Sequence, residues 1–144
     1  MYQYQVSFGD AIKRAFSNYC CFTGRASRSE YWWFALFNFI ISLVFTIGST
    51  IIGVISVTNG ETPSNVNIFT ILSWIYSAAV LLPSLGLIFR RLHDAGHSGW
   101  NCLWQLLPCI GWIILIVYYC QESEPEENIY GPVPNTIEDN EVGY

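Results

Sequence analysis

Charge is what this sequence has least of. Only 12% of its 144 residues are Asp, Glu, Lys or Arg, against about a quarter in an ordinary soluble domain. None of the four occurs between Glu30 and Glu61, between Glu61 and Arg90, or between Asp94 and Glu122. Each gap can hold the roughly 20 apolar residues of a membrane-crossing helix. With 52% apolar residues, the chain is expected to be an integral membrane protein. Basic residues are the scarcer sign, six Lys and Arg against eleven Asp and Glu, which excludes the basic groove of a nucleic-acid binder. A cleavable signal peptide is missing too, because Lys13, Arg14, Arg25 and Arg28 interrupt the chain before its first apolar run. The first helix is therefore expected to be an uncleaved anchor. Cys20, Cys21, Cys102, Cys109 and Cys120 are odd in number and lack a paired spacing, so free thiols are expected.

Catalytic signatures are absent as well. No Ser-His-Asp set has a nucleophile-elbow context, no paired acids lie within an apolar run, and no Gly-rich phosphate loop occurs. No catalytic residue, cofactor or enzyme class is assigned.

What is present reads as an all-α integral membrane protein, with about three transmembrane helices preceded by a short amphipathic interfacial helix. Over residues 7–20, Phe8, Ile12, Phe16 and Tyr19 fall on one helical face, and Asp10, Lys13, Arg14 and Ser17 on the other. Ser7 with Asp10 resembles a capping box, and so does Ser27 with Glu30. The transmembrane helices are expected at about 31–57, 67–89 and 100–120. The first, at about 1.5 Å per residue, comes to roughly 40 Å, longer than the ~30 Å hydrocarbon core, so tilt or protrusion must absorb the excess. Asn59-Gly60 and Pro63 mark a polar turn between the first two helices. Residues 1–121 thus form a membrane domain. Residues 122–144 form an acidic tail with Pro125, Pro132 and Pro134, expected to be extended apart from local order near Tyr130. The net charge of −5 comes from this tail.

Basic residues alternate across these segments: Lys13, Arg14, Arg25 and Arg28 before the first helix, none in the first loop, Arg90 and Arg91 at the second loop, none in the tail. By the positive-inside rule the amino terminus is cytoplasmic. Trp32, Trp33, Trp100 and Trp104 would form an aromatic belt on that side, with Tyr118 and Tyr119 at the far interface. Leu81-Leu82-Pro83-Ser84-Leu85-Gly86 recurs as Leu106-Leu107-Pro108-Cys109-Ile110-Gly111. Two such prolines at one depth could kink helices two and three around a cavity. The second could also make a re-entrant turn that returns the tail to the cytoplasm. The 20-residue length of the last run matches one crossing, so the simple path, with the tail on the far side, is the expectation.

The polar residues gather in two places that this topology brings together, Arg25, Arg28 and Glu30 with Arg90, Arg91, His93 and Asp94. Glu30 and Asp94 are the expected counter-ions for two of the four arginines. The surplus charge could hold an anion, such as a lipid phosphate, at Ser98 and Gly99, where the third helix would begin with free amides. The plainer alternative is that the arginines fix orientation and knit the loop to the first helix. His93 and His97 are four apart, but Gly96 and Gly99 argue for a turn there, and no metal site is assigned. A proton relay of His93 with Asp94 is weaker than a structural pair.

Three stretches resemble one family. Phe22-Thr23-Gly24-Arg25-Ala26-Ser27-Arg28-Ser29-Glu30-Tyr31-Trp32-Trp33, then Arg90 to Trp100 as Arg-Arg-Leu-His-Asp-Ala-Gly-His-Ser-Gly-Trp, then Asn128-Ile129-Tyr130-Gly131-Pro132 are similar, in order and spacing, to the signatures of the domain of unknown function 805 family (DUF805). Its members are small bacterial inner-membrane proteins. The resemblance implies a bacterial or bacteriophage origin, an inner-membrane location and no assigned activity. It adds Asn128, Tyr130 and Gly131 as a tail motif. Asn101, where the family pattern usually has a second tryptophan, and the glutamate-rich 122–127 depart from it.

The function these residues favour is a non-enzymatic scaffold or regulator whose basic cytoplasmic face binds anionic lipid headgroups or an acidic partner. The expected partners are membrane lipids, a second copy of the chain or another membrane protein, and not nucleic acid. A subunit of an oligomeric small-solute transporter is the alternative, and a lipid-modifying enzyme using His93 and Asp94 the third.

Overall fold

The computed structural model describes residues 2–62 and 66–137. In chain order it contains β1 (Tyr2–Gln3), α1 (Phe8–Ser17), α2 (Arg28–Thr58), α3 (Ile68–Asp94), a 3-10 helix (Gly99–Leu106), α4 (Ile110–Cys120) and β2 (Thr136–Ile137). Its regular structure is helical apart from one two-residue antiparallel ladder, Tyr2 with Ile137 and Gln3 with Thr136. Pro63 of the expected polar turn and Glu138, Asp139 and Glu141 of the tail lie outside the described residues. The chain divides into two compact units, residues 35–82 and the remainder.

The unit of residues 35–82 consists of the rest of α2 and the start of α3. These helices, 31 and 27 residues long, are long and apolar enough to cross a membrane. They leave Phe39 64%, Val54 57% and Ile75 62% exposed, a surface that suits hydrocarbon and would be costly in water. Where they face each other the contacts are small or polar, as in helix pairs that lipid surrounds. Tyr76 Oη donates to Asn38 Oδ1 at 2.7 Å, and Asn67 Nδ2 to Ser49 Oγ at 2.8 Å. A Cβ on Gly48 would stand 2.7 Å from the Phe69 ring. Ser42, Thr46, Ser49, Thr70, Ser73 and Ser77 line a cleft of about 330 Å³ here. The Thr46 and Thr50 hydroxyls donate back to the carbonyls of Ser42 and Thr46, so they need no outside partner.

In the other unit, Ser7 caps α1 by accepting from the Asp10 amide at 3.3 Å. Helix α1 packs on a small-residue face, not on the aromatic one. Its buried residues are Ala11 and Ala15, one turn apart, whose small side chains let the backbone approach closely. Phe8 and Phe16 flank that contact edge-on to Trp33 and Phe34, at 5.7 and 5.9 Å between ring centroids. At the start of α2 half of the expected capping box forms, Ser27 Oγ accepting from the Glu30 amide at 3.3 Å. The Glu30 carboxylate goes instead to Arg90.

The third apolar run corrects the expectation of one crossing over 100–120. It is a 3-10 helix, a break, and α4. Pro108 brings no amide to continue a helix. Cys109 takes φ 65° and ψ −69°, and the Ile110 amide donates to the Pro108 carbonyl at 2.8 Å, the strained form of γ-turn. The chain then folds back so closely that a Cβ on Gly111 would collide with the Trp104 carbonyl oxygen. Eight residues at about 2.0 Å and eleven at about 1.5 Å make two limbs of roughly 16 Å, half the ~30 Å core. His97 Nε2 and Gln121 Oε1, 2.9 Å apart, tie the two ends. The run folds back on itself as a hairpin, and its length was the wrong guide to a continuous helix because the break at residues 108–111 outweighs it.

The recurrence of the hexamer is not a recurrence of structure. Helix α3 runs through Pro83 without interruption, and the close neighbour of Gly86 is the Cys21 carbonyl oxygen, 2.9 Å from where a Cβ would stand. Gly86 lets a loop approach a helix, whereas Gly111 lets a helix fold onto the segment before it.

Return of the chain also packs Tyr118 and Tyr119, expected at a far interface, against residues of other segments. Tyr119 is 5% exposed in a core with Leu92 and Leu115. It stacks on Tyr31 at 4.4 Å, and Tyr118 lies against His97 at 4.0 Å. All five cysteines are free.

Candidate functional site

Polar residues of three segments meet in the unit that holds both termini. The last turn of α3 delivers Arg90, Arg91, His93 and Asp94, the approach to α2 and its first turn deliver Arg25 and Glu30, and the chain after α4 supplies the rest. Arg25, Glu30, Arg90, Arg91, His93 and Asp94 are all under 9% exposed. Burying charge at this density is tolerable only where each group is paired and hydrogen-bonded.

Asp94 is the centre. Its Oδ1 accepts from Arg25 Nε at 3.0 Å, and its Oδ2 from Arg91 Nη1 at 2.6 Å and Ser123 Oγ at 2.5 Å. One carboxylate therefore serves two arginines, where the sequence suggested one each for Glu30 and Asp94. Arg91 turns away from any ligand. Its Nε donates to the Tyr119 carbonyl at 3.2 Å and its Nη2 to that of Gln121 at 2.5 Å, so the guanidinium closes the end of α4, where helix carbonyls lack intrahelical partners and the dipole favours a cation.

Arg25 holds the tail. Its Nη2 donates to the Glu124 carbonyl at 2.6 Å and its Nη1 to that of Glu126 at 2.8 Å. Asn128 Nδ2 donates to the His93 carbonyl at 3.0 Å and to Glu124 Oε2 at 2.6 Å. The Tyr130 ring lies flat on His93, 3.8 Å between centroids and 3° between planes. Gly131, at φ 132°, closes a turn by donating to the Asn128 carbonyl at 3.0 Å. The tail through residue 137 is therefore folded against the Arg-His-Asp segment. This corrects its expected extension, and it joins the tail to the segment from which the expected path would have separated it.

Several sequence-predicted roles are not assembled. Ser98 Oγ accepts from the Trp100 amide at 3.4 Å, and Gly99 packs so near Phe89 that a Cβ would overlap the ring. Neither joins an arginine in an anion site. Asp94 gives its oxygens to Arg25, Arg91 and Ser123, while His93 Nδ1 lies 3.2 Å from the Gly24 carbonyl, so the two form no relay. His93 and His97 have different partners. Arg28 is exposed, with Glu122 3.6 Å away, a pair contributing about 1 kcal/mol at most.

Arg90 is different. Its Nη1 lies 3.3 Å from Glu30 Oε1, but Nε and Nη2 are buried with no acceptor among the described residues. With Arg14, Arg25 and Glu30 it lines a pocket of about 410 Å³, completed by Asn18 and Asn135 among others. Arg14 Nη1 donates to Asn135 Oδ1, and Arg14 Nη2 to Tyr4 Oη at 2.9 Å. Sequence reasoning missed Arg14, Asn135 and Ser123 here. Arg14 was read only as the polar side of α1, and the other two lie in a tail expected to be elsewhere.

Fold and site together define a helical protein with two helices long and apolar enough to cross a membrane and with five of its ionisable residues, Arg25, Glu30, Arg90, Arg91 and Asp94, buried in one ion-paired cluster. The chain belongs to the family described as protein of unknown function (DUF805), whose profile matches residues 19–132 and so takes in all three signature stretches. It is 41% identical over 125 residues to "Inner membrane protein YhaH" of Escherichia coli (strain K12), covering 87% of this chain and 96% of that protein. To "Inner membrane protein YhaI" of the same organism it is 39% identical over 117 residues, covering 81% and 88%. No solved structure matches the chain.

Proposed function

We propose that this protein is a non-enzymatic scaffold or regulator of the inner membrane, crossing it with α2 and α3, with its amino terminus in the cytoplasm. Its basic cytoplasmic face binds anionic lipid headgroups or an acidic partner. The observation that carries this reading is the ion-paired cluster around Asp94. It uses charge to fix three segments of chain rather than to present a nucleophile, base or metal. All six basic residues belong to the same unit of the chain, and residues 35–82 hold none; such an asymmetry sets the cytoplasmic side. Lys13 and Arg28 are both exposed, and these are the groups that would meet headgroups, Arg28 by exchanging its exposed pair with Glu122, at about 1 kcal/mol each near an anionic surface.

Two measurements test it. In a cysteine-free background, cysteine at Asn59 should react with a membrane-impermeant thiol reagent in cells whose outer barrier is open, and cysteine at Ile129 should not. Labelling at Ile129 alone would reverse the orientation. Protein extracted in mild detergent should carry more anionic lipid than the surrounding membrane, and Lys13→Gln/Arg28→Gln protein should carry clearly less. Equal lipid composition in both would end the headgroup reading.

A further inference from the structure

We infer that the pocket between α1, the approach to α2 and the last turns of α3 is a binding site for a dianionic phosphate group, with Arg90 as its principal donor. The inference rests on the reading of a cytoplasmic anion-binding face and gives that face a specific site.

The argument begins with Arg90. Its side chain is 6% exposed and two of its nitrogens lack an acceptor. A buried donor left unsatisfied is costly, and nearly every other polar group in this cluster is satisfied. The unsatisfied atoms are Nε and Nη2, one edge of the planar fork, which presents parallel N–H groups to two oxygens of a phosphate or carboxylate. Glu30 takes the other end at Nη1 and so fixes the plane of the guanidinium.

Charge and size select the phosphate. Among the residues that line the pocket, Arg14, Arg25 and Arg90 carry three positive charges and Glu30 one negative charge, while Asp94 and Arg91 pair with each other outside the lining. The surplus of two matches a phosphate monoester or inorganic phosphate, and exceeds what one carboxylate or phosphodiester neutralises. The volume of about 410 Å³ is large for a carboxylate alone. Arg25 contributes field rather than hydrogen bonds, since its nitrogens already hold Asp94 and the tail. Arg14 spends one donor on Asn135 and one on Tyr4, leaving others of the five a guanidinium has. Pro134 and Asn135 form part of the wall, so the tail completes the site. Exposed Thr23 also lines the pocket, on its open side. The phosphate could belong to a lipid whose headgroup is a bare phosphomonoester, or to a free phosphate or soluble ester.

The test uses the full chain, purified in neutral detergent, titrated with inorganic phosphate against chloride at equal ionic strength and read by calorimetry and melting temperature. In parallel, nanodiscs of phosphatidylcholine containing either phosphatidic acid or phosphatidylglycerol measure lipid affinity. Arg90→Lys keeps the charge beside Glu30 and removes the paired edge. Thr23→Trp plugs the pocket from an exposed position, and its melting temperature in chloride should match the wild type. Phosphate or phosphatidic acid should bind the wild type at least about tenfold more tightly than either variant, the loss of a charge-assisted hydrogen bond. Binding of inorganic phosphate with that dependence assigns a soluble source, and binding of phosphatidic acid alone assigns a lipid. Phosphatidylglycerol binding as tightly as phosphatidic acid, indifferent to both variants but lost in Lys13→Gln/Arg28→Gln protein, would overturn the pocket and leave the broader headgroup reading standing. No anion binding in any arm would overturn both.

Discussion

Asp94→Ala protein is expected to melt far below the wild type and to be recovered at a small fraction of its yield. The carboxylate lost is the partner of Arg25 at 3.0 Å and of Arg91 at 2.6 Å, all three side chains at most 1% exposed. Removing one partner of a buried ion pair costs about 3–5 kcal/mol, because the remaining charge stays in a poorly solvating place. Here two guanidiniums are stranded, and a typical domain has only about 5–15 kcal/mol in all. The damage should spread, since Arg25 also holds the tail and Arg91 the end of α4. Glu122→Ala is the matched control. It breaks the exposed pair with Arg28, and its melting temperature in mild detergent should scarcely move. If Asp94→Ala melts with the control, the cluster does not hold the unit together.

Gly111→Val should open the hairpin formed by the 3-10 helix and α4. Its Cβ would collide with the carbonyl oxygen of Trp104, a backbone atom with no rotamer to retreat to, so the two limbs must separate. Overpacking of this kind costs about 1–3 kcal/mol where a core can adjust, and backbone adjusts least. The readout is the distance between the hairpin ends. With cysteines substituted at His97 and Gln121 in a cysteine-free background, a short bifunctional thiol reagent should join them efficiently in the parent and poorly with Gly111→Val added. Equal joining would mean that the close approach at Gly111 is not what holds the fold-back. Separation of the limbs would also withdraw the α4 carbonyls from Arg91, linking this prediction to the first.

Much of this architecture is written in one dimension. The gaps in charge mark where apolar helices can run, and α2 (Arg28–Thr58) and α3 (Ile68–Asp94) lie over two of them, α3 continuing past the gap to take in Arg90, Arg91 and Asp94. The caps at Ser7 and Ser27 are local hydrogen bonds between near neighbours, which is why sequence reveals them. Family membership was legible because two of its signatures are long stretches that hold Arg, His, Asp and Glu in a fixed order, types that are rare in membrane segments.

The third apolar run shows where such reasoning stops. Its length matches one crossing, and its Pro108 and Gly111 match a fold-back equally well. The deciding facts are the γ-turn at Cys109, the approach of Gly111 to Trp104 and the bond from His97 to Gln121, each a relation between residues that only the folded chain brings together. The tail followed the same logic. Its glutamates look like a solvated acidic segment, yet it is the backbone carbonyls of Glu124 and Glu126 that matter, as acceptors for Arg25, and every residue has a carbonyl. Arg14 and Arg91 departed from their apparent roles for a related reason, Arg14 lining the pocket and Arg91 closing the end of α4. Two arginines differ in function by what surrounds them, and adjacent positions at the end of α3 send Arg91 inward to a helix terminus and Arg90 into a pocket.

By itself, then, the sequence determined the membrane class, the two long apolar helices, the family and the set of residues that carry charge, because hydrophobicity, capping and motif are properties of neighbouring residues. The tertiary structure alone decided that the last apolar run folds back on itself, that Asp94 serves two arginines and that Arg90 keeps two donors free, because pairing among buried charges depends on which distant segments meet.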